Sequence, residues 1–286
     1  MNKIALITGT SSGLGLHLSV LLAKRGFKTF ATMRNLEKKS HLLDTATKQG
    51  VELEIKQLDV LDTASVERCV GEIISQEGHI DVLVNNAGAG FVRTTEQATE
   101  EEIQWVIDVN LMGVIRCTKA VIPSMRERRN GHIVNISSVG GLVGQPFNEI
   151  YCAAKFAVEG YTESMASYIQ PNFNIKFTLV EPGGIKSEFA NNVLSHIQNS
   201  GGMYDDEYKP ILEKYIGGSQ ARSNSQEDIY QNSEEVAAIV ADCIQSQDPP
   251  IRIRTSEWGE KFCKFKTNLD PTGKHLQAQV IKQFLG

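Results

Sequence analysis

The stretch TGTSSGLG, residues 8–15, follows the apolar run IALI and opens the helical pattern LGLHLSVLLAKRG, so it predicts a tight turn from a strand into a helix. Gly9, Gly13 and Gly15 form the pattern G-x-x-x-G-x-G, which lets a backbone approach a pyrophosphate at a helix N-terminus. Gly9, Ser11 and Gly13 also form G-x-S-x-G, the elbow on which a hydrolase presents a nucleophilic serine. The turn is therefore either a phosphate cradle or a nucleophile elbow.

Short apolar runs alternate with longer amphipathic segments along the chain. Strands are predicted at 3–8, 28–33, 53–59, 80–85, 131–137, 175–181 and 251–255. Helices are predicted between them, at 13–25, 35–49, 62–77, 100–128, 151–170 and 233–246. This alternation, with nearly continuous apolar strands, predicts an α/β fold of the Rossmann type: a doubly wound, parallel, seven-stranded sheet with helices on both faces.

Two local signals refine this outline. Thr99 with Glu102 predicts a capping box for the helix at 100–128, and Ser233 is expected to cap the helix at 233–246. The stretch 186–232 is polar and glycine-rich, and a strand and helix of the same sheet follow it, so we expect a single domain, 1–286, with an insertion covering the substrate. Its apolar residues are Met203, Tyr204, Tyr208, Ile211, Leu212, Tyr215 and Ile216. Of these, Tyr204, Tyr208, Ile211, Leu212 and Tyr215 have the three- and four-residue spacing of an amphipathic helix laid over an apolar pocket, and ordinary packing would produce the same spacing.

Composition excludes several classes of protein. The 286 residues are 41% hydrophobic and 22% charged, which is typical of a globular chain. A net charge of -5 leaves no basic footprint for nucleic acid. Five cysteines without a C-x-x-C pair favour reduced, buried thiols and a cytoplasmic protein. Neither a membrane span nor a metal site is expected, because no apolar stretch is long enough and no histidine or cysteine cluster has ligand spacing.

The end of the second strand helps to choose between cradle and elbow. A hydrolase would need an acid and a histidine later in the chain, and the histidines here are scattered singly, so a serine hydrolase using Ser11 is the weakest alternative. A dinucleotide site needs an acidic residue near the end of strand two for NAD, or a base for the 2'-phosphate of NADP. The strand ends FATMRN, with Arg34 and no carboxylate. NADP(H) is therefore expected as the preferred cofactor, with NAD(H) possible.

A tyrosine and a lysine supply a candidate for the chemistry. Tyr151 and Lys155 are four residues apart on a predicted helix, so their side chains share a face. A neighbouring ammonium group favours the phenolate and lowers the pKa of a tyrosine from its usual value of about 10. Ser138 lies at the carboxyl end of a strand, where open parallel sheets bind their ligands. These three residues predict proton transfer at a carbonyl or an alcohol.

The order of these motifs resembles that of the short-chain dehydrogenase/reductase family. The resemblance covers about the first 185 residues and rests on TGTSSGLG at 8–15, LDV at 58–60, NNAG at 85–88, Asn110 in DVNLMG, Ser138, Tyr151-x-x-x-Lys155 and PGGIKS at 182–187. The phrases ATMRN, SVGGLVGQPFNEIYCAAKFAVEG, QNSEEVA and DPTG are similar to the branch that holds type 1 17β-hydroxysteroid dehydrogenase and related retinol dehydrogenases. The resemblance implies an oxidoreductase acting on an apolar carbonyl or alcohol.

The resemblance also implies roles for individual residues. Tyr151 would be the general acid and base, Ser138 would hydrogen-bond the reacting oxygen, Lys155 would bind the nicotinamide ribose and lower the pKa of Tyr151, and Asn110 would hold a water for proton replacement. The implied cofactor contacts are Gly9, Ser11, Ser12, Gly13, Leu14 and Gly15 in the turn, Arg34, Asp59 and Val60 at the adenosine end, Asn86, Ala87 and Gly88 at the ribose, Tyr151 and Lys155, and Pro182, Gly183, Ile185 and Ser187 at the nicotinamide.

Several of these residues also have structural interpretations. Asn85 and Asn86 could cap a strand end, Asn110 could be a satisfied helix asparagine, and Asp59 could cap the helix near 62. Cys152 is expected to be a packed thiol rather than a nucleophile. Ser137 competes with Ser138, and the family spacing of thirteen residues to the tyrosine selects Ser138.

Two departures bear on substrate and function. Ser187 replaces the usual threonine of the family, and the region 197–274 lacks the histidine with which the steroid dehydrogenase binds a distal hydroxyl, so a phenolic steroid is not the expected substrate. A catalytically idle, dinucleotide-sensing regulator is the alternative on the same fold, and the Ser, Tyr and Lys set argues against it. Family members commonly associate through two long helices, so a homodimer or homotetramer is expected.

Overall fold

The main sheet of the computed structural model contains seven parallel strands. The structure describes residues 2–188, 204–223 and 230–285, with the single positions 193, 195, 198 and 202. The strands are β1 (Ile4–Thr8), β2 (Lys28–Met33), β3 (Glu54–Gln57), β4 (Val82–Asn85), β5 (Gly131–Ile136), β6 (Ile175–Glu181) and β9 (Arg252–Arg254). Two further short strands, β7 (Gly184–Lys186) and β8 (Tyr230–Asn232), pair with each other in parallel.

Helices cover both faces of this sheet, which confirms the predicted doubly wound α/β fold. They are α1 (Gly13–Lys24), α2 (Ser40–Gln49), α3 (Thr63–Glu77), α4 (Glu100–Ile107), α5 (Gly113–Arg128), α6 (Glu149–Phe173), α7 (Lys209–Ser223), α8 (Ser233–Gln245), α9 (Glu257–Thr267) and α10 (Lys274–Phe284). Neighbouring residues of β1 point to opposite faces: Leu6 packs with the α3, α5 and α6 side, and Ile7 packs with the α1 and α8 side.

The strand order places a ligand crevice between β1 and β4. The order along the sheet runs outward from β1 through β2 and β3 on one side, and from β4 through β5 and β6 on the other. In open parallel sheets, ligands bind beyond the carboxyl ends of the strands at such a reversal. The glycine turn follows β1, and Asn86 follows β4, so both lie at this point.

Three helix predictions need correction. The predicted helix 100–128 is interrupted by one wide π-helical turn at Asp108–Met112, and the predicted helix 35–49 begins as a 3-10 turn at Leu36–Lys39. The cap of α8 is Asn232 rather than Ser233, because Glu235 accepts a hydrogen bond from the backbone N–H of Asn232 at 2.8 Å. The capping box of Thr99 and Glu102 is confirmed, with bonds of 3.0 and 3.2 Å.

The ends of the expected insertion 186–232 meet in the β7 and β8 pair, where a Cβ on Gly184 would overlap the Tyr230 ring. The insertion does contain a helix, but α7 begins at Lys209, so Tyr204 and Tyr208 precede it and the expected stripe is only partly helical. On the helix Leu212 is buried, whereas Ile211 is exposed. Met203 lies outside the described residues. The helices α9 and α10 were not predicted.

Candidate active site

The glycine turn has the backbone geometry of a cradle. Gly9 and Gly13 have positive φ angles of 70° and 57°, which side-chain-bearing residues rarely adopt. A Cβ on Gly15 would overlap the Asn86 amide nitrogen and the carbonyl oxygen of Gly9. Helix α1 begins at Gly13, and its N-cap residue, Ser12, makes no side-chain capping bond. The first N–H groups of α1 are thus available for an anion.

The end of β4 holds this turn in place. The Asn86 side chain donates to the carbonyl oxygens of Thr8 and Gly9, both at 2.9 Å. The backbone N–H groups of Asn86 and Ala87 donate to the Thr8 hydroxyl at 3.1 and 3.0 Å. A Cβ on Gly9 would lie only 2.8 Å from the Cα of Ala87. The Asn86 side chain therefore holds the backbone of the glycine turn in place. This role differs from both sequence interpretations, a contact with the ribose and a cap for the end of β4.

A cleft of about 520 Å³ opens at the turn. It is lined by Ser11, Ser12, Gly13, His17, Lys38, His41, Lys186, Ser187, Glu188 and Ser233. Two lysines, two histidines and a helix N-terminus are a donor set that suits phosphate groups, so these residues fit a dinucleotide pyrophosphate.

The same cleft bears on the hydrolase alternative. Ser11 and His17 both line the cleft, and His17 Nδ1 lies 3.3 Å from Glu234 Oε1. In the part of the chain that the structure describes, no hydrogen bond joins Ser11 to His17, whereas a nucleophile elbow needs its serine paired with the base. The geometry favours the cradle.

The adenosine end of the predicted site lies beyond β2 and β3. Arg34 follows β2 and is exposed, and its backbone carbonyl oxygen accepts a bond from the Gln57 side chain at 3.0 Å. Among the described residues no bond or ion pair holds its guanidinium group, which can therefore reach a ligand. Asp59 accepts from the N–H of Leu61 at 3.0 Å. The α3 cap is Asp62, so the alternative interpretation of Asp59 as that cap is wrong.

Asn110 is fully buried in the wide turn between α4 and α5. Its side chain accepts from the Ala89 N–H at 3.1 Å and donates to the carbonyl oxygens of Ala89 and Val106, each at 2.9 Å. A Cβ on Gly88 would lie 3.0 Å from Asn110 Oδ1 and 3.7 Å from Lys155 Nζ, so these three residues meet. Single π turns of this kind are frequent at functional sites.

Ser138 and Tyr151 meet at the carboxyl end of β5. Ser138 Oγ accepts from the N–H of Gly140 at 3.0 Å, and a hydrogen bond links Ser138 to the Tyr151 hydroxyl. A Cβ on Gly140 would contact Ser138 Oγ at 3.3 Å, and Gln145 Nε2 and Tyr151 Cε1 at 3.4 Å each. Gln145 is therefore a neighbour of the reacting groups that no motif in the sequence signals.

Burial controls the charges of the tyrosine and the lysine. It raises the pKa of Tyr151 to about 12, and the Ser138 hydrogen bond lowers this pKa only in part. Burial also lowers the pKa of Lys155 to about 8, against the opposing charge of Glu159. The predicted lowering of the Tyr151 pKa by Lys155 is not seen in this arrangement, in which burial dominates and raises that pKa. Lys155 Nζ lies 5.8 Å from the ring centre and donates to the Ile136 carbonyl oxygen at 2.9 Å.

Residues 3–198 match the family model described as short chain dehydrogenase. The chain belongs to this family. Among its relatives, bovine retinol dehydrogenase 8 is 40% identical over 95% of this chain and 86% of its own length. Human 17-beta-hydroxysteroid dehydrogenase type 1 is 34% identical over 99% of this chain and 86% of its own length. Both belong to the branch that the sequence motifs indicate.

A solved short-chain dehydrogenase structure shows the same architecture. A variant of actinorhodin polyketide ketoreductase, solved with NADPH, is 31% identical, has a TM-score of 0.73 and covers 85% of this chain and 90% of its own. Together, the family and these relatives support an oxidoreductase that interconverts a carbonyl and an alcohol with NAD(H) or NADP(H).

The remaining residues of the family pattern lie on the loop after β6 and on the glycine turn, except Val60, which follows β3. The Pro182 carbonyl oxygen accepts from Val139 at 2.9 Å, which fixes this loop beside Ser138. Ser187 lines the cleft, and its Cβ would lie 3.2 Å from a Cβ on Gly13. Leu14 is buried among the core residues of α1 and α8, so only its backbone can contact a dinucleotide. Further residues of the pattern are partly buried: Val60, Gly183 and Ile185.

A buried acidic pair lies one helical turn beyond the active-site lysine. A Cβ on Gly141 would lie 2.7 Å from Ser137 Oγ and 3.0 Å from Glu159 Oε1, so these two groups are neighbours. Glu181 is fully buried and pairs with Arg254 at 3.0 Å. Burial, and then the charge of Glu181, raise the pKa of Glu159 well above its ordinary value. The pair links α6 to β6, and its neighbour Ser137 links it to the end of β5. The spacing of these residues in the sequence does not predict their contact.

The cysteines are packed thiols, as the sequence predicts. All five are free and buried, and burial raises the pKa of Cys152. Among the described residues, no group of three or more histidine, cysteine or acidic side chains is arranged to hold a metal ion. No helix in the described part of the chain is long and apolar enough to cross a bilayer.

Proposed function

We propose that this short-chain dehydrogenase uses NADP(H) in preference to NAD(H) and interconverts a carbonyl and an alcohol on an apolar substrate. The observation that carries the proposal is the joint position of Ser138 and Tyr151 at the carboxyl end of β5, linked by a hydrogen bond. Lys155 and Asn110 complete the set through their approach to Gly88. A dinucleotide-sensing regulator would need none of these four residues.

The preference for NADP(H) is supported by charge. Arg34 is exposed where β2 ends, with no carboxylate beside it in FATMRN, and Lys38 lines the cleft near the same turn. A guanidinium group binds a phosphate through charge-assisted hydrogen bonds, whereas the ribose hydroxyl of NAD is usually met by an acidic side chain.

An apolar substrate is supported by aromatic side chains that pack just before α6, the helix that carries Tyr151. The Tyr215 ring of α7 packs on Phe147 at 5.7 Å, and its hydroxyl accepts a bond from Asn148 at 2.9 Å. Phe147 has a φ of 60°, a strained value for an aromatic residue, of the kind that clusters at functional sites. Two of the relatives carry the names of a retinol and a hydroxysteroid dehydrogenase, which also favours an apolar molecule.

The roles of the protein groups follow from their charges. A bound nicotinamide dinucleotide supplies or accepts the hydride. Tyr151, whose pKa is raised to about 12, remains a phenol at neutral pH and can donate its proton to a carbonyl oxygen. Ser138 can donate a second hydrogen bond to that oxygen and stabilise its developing charge. Lys155 can hold the nicotinamide ribose, and the first turn of α1 can bind the pyrophosphate.

Location and assembly are part of the same proposal. We place the protein in the cytoplasm, because its five cysteines are free. A homodimer or homotetramer through α5 and α6 is proposed by analogy with the family, and nucleic acid is not a proposed partner at a net charge of -5.

The test is oxidation of NADPH and NADH, followed by absorbance, across retinal, steroid ketones, simple aldehydes and diketones. We expect wild type to oxidise NADPH with at least one apolar carbonyl, and Tyr151→Phe to lose about 10²–10⁴-fold of that rate, the usual contribution of a general acid. Tyr168→Phe, an exposed tyrosine on the same helix, is the matched control. Tight NADPH binding without reduction of any carbonyl would instead support the sensing regulator.

A further inference from the structure

Helix α9 carries an apolar stripe, defined here as the half-buried Trp258 and the exposed Phe262, Phe265 and Leu269. The spacings of four, three and four residues place these side chains along one line of the helix and just beyond its end. Phe265 is fully exposed and Leu269 is 95% exposed. Trp258 stacks on Phe262 with ring centres 4.8 Å apart. Contiguous exposed apolar side chains on a protein surface mark interaction sites.

The stripe is exposed although its helix is firmly held. The opposite face buries Gly259, Cys263 and Thr267. Cys263 belongs to a buried cluster with Val139 and Leu142. Ser256 caps the helix by accepting from Gly259 at 3.0 Å, so the orientation of the stripe does not depend on a loose segment.

The position of α9 connects the stripe to the active site. Val139 and Leu142, which α9 covers, directly follow Ser138 in the chain. Trp258, the first residue of the stripe, packs on the same cluster, as does Val143. Whatever binds the stripe therefore lies beside the loop that carries the catalytic serine.

Lysines flank the stripe. At 100° per residue, Lys261 and Lys266 project on its two sides, and Lys264 lies further round the helix. All three are exposed, and within residues 2–188, 204–223 and 230–285 none of them makes an ion pair. Helix α9 carries three lysines and two acidic residues, of which Glu260 pairs with Arg254, in a chain whose net charge is -5. The net charge of this helix is thus opposite in sign to that of the whole protein.

An apolar stripe between lysines suits an anionic lipid surface better than a second copy of the chain. Apolar rings can enter the acyl boundary while long lysine side chains reach the negative headgroups. In a two-fold contact the same patch meets itself, so the lysines of both copies would face each other. We propose that the stripe docks this protein on the surface of an anionic bilayer, with Phe262, Phe265 and Leu269 inserted.

Docking would hold the loop after Ser138 next to the bilayer, in which an apolar substrate dissolves. This benefit rests on the proposed function, but the docking itself does not, so the two can fail separately. Sedimentation of the full chain with vesicles measures docking, and reduction of a water-soluble carbonyl by NADPH, without vesicles, measures the proposed activity.

The vesicles are phosphatidylcholine alone, and three parts phosphatidylcholine to one part phosphatidylserine. We expect wild type to bind the phosphatidylserine vesicles, and the double variant Phe265→Ser with Leu269→Ser to bind them at least tenfold more weakly, because burying each side chain contributes severalfold. Phe284→Ser changes an exposed phenylalanine outside the stripe and should leave binding unchanged. Lys261→Gln with Lys266→Gln should weaken binding about tenfold or more and reduce its sensitivity to salt.

Each contrary result is informative, because Phe265 and Leu269 are too exposed for their loss to unfold the protein. Equal binding of wild type and the double variant, or no binding of wild type, would overturn the proposal. A wild-type dimer in light scattering that the double variant dissociates, without vesicle binding, would assign the stripe to a contact between copies. Docking without reduction of any carbonyl would leave this proposal standing and remove the proposed function.

Discussion

The ammonium nitrogen of Lys155 lies 5.8 Å from the centre of the Tyr151 ring and donates to the Ile136 carbonyl oxygen at 2.9 Å. The spacing of four residues brings both side chains to one helix face, and the lysine is anchored to the end of β5 by its bond to Ile136. Burial raises the pKa of Tyr151 to about 12 and lowers that of Lys155 to about 8. Of these two side chains, Lys155 is therefore the one whose charge changes nearer to neutral pH.

This difference predicts the pH dependence of carbonyl reduction. Tyr151 keeps its proton throughout the neutral range, so the rate should be flat below pH 8 and fall above it, as Lys155 loses the charge that holds the ribose. Lys155→Arg keeps a positive charge at every accessible pH, so its rate should be lower but should not fall near pH 8. The measurement is kcat/KM for NADPH-dependent reduction against pH. An unchanged fall in the arginine variant would assign it to another group.

The cofactor preference can be tested at Arg34. Arg34→Ala should weaken NADPH binding about 10–100-fold, since a hydrogen bond to a charged group contributes about 1.5–3 kcal/mol. NADH binding should change little, because NADH lacks the 2'-phosphate. Fluorescence titration gives both dissociation constants. Arg68→Ala, an exposed arginine on α3, is the matched control, and an equal loss for both nucleotides in Arg34→Ala would argue against a phosphate contact.

Gly13→Ala tests the cradle, and Gly26→Ala is its control. Both glycines have positive φ, at 57° and 89°, so alanine should cost each about 1–2 kcal/mol of folding free energy. A Cβ on Gly13 would lie 3.2 Å from the Ser187 Cβ inside the cleft, whereas one on Gly26 would meet nothing within 4 Å. We expect similar losses of Tm, with nucleotide affinity reduced tenfold or more in Gly13→Ala alone. Equal nucleotide affinity in the two variants would contradict the cradle.

Most of the fold and of the candidate site was predicted from patterns among residues close together in the sequence. The strands β2 and β6 have the predicted bounds, because each is a short β-branched and apolar segment of which all but one residue is buried between the two helix layers. The glycine turn, Ser138 and the pair of Tyr151 with Lys155 were predictable since their geometry depends on neighbours within one turn or one strand end.

The features that were not predicted depend on contacts between segments that are distant in the sequence. Glu159 and Glu181 are 22 positions apart and meet only because β6 pairs with β5 beneath α6. Gln145 approaches the site because the short turn at Val139–Gly141 folds the loop back. The wide turn at Asp108–Met112 interrupts a sequence with an ordinary helical pattern, and its position reflects packing around Asn110.

The buried acidic pair predicts a pH dependence of stability. The pKa of Glu159 is raised, first by burial and then by Glu181, so the folded protein holds a proton that the unfolded chain releases above about pH 4.5. The contribution of this proton to stability is therefore full below pH 4.5 and falls as the pH rises towards the folded pKa, by about 1.4 kcal/mol for each pH unit in that interval. Other groups that face Glu159 are Ser137, Lys155, Glu163 and, through Glu181, Arg254.

Glu159→Gln keeps the shape of the side chain and removes the titration, so the Tm of this variant relative to that of wild type should rise as the pH rises above about 4.5, until the pH passes the raised pKa of Glu159 in the folded protein. Glu149→Gln, an exposed acid in the first turn of the same helix, should leave the pH dependence of the wild type intact. Thermal unfolding of the three proteins across this range measures the effect. A constant difference between Glu159→Gln and wild type would mean that Glu159 is already ionised in the folded protein, because only a proton held by the folded state makes the difference grow with pH.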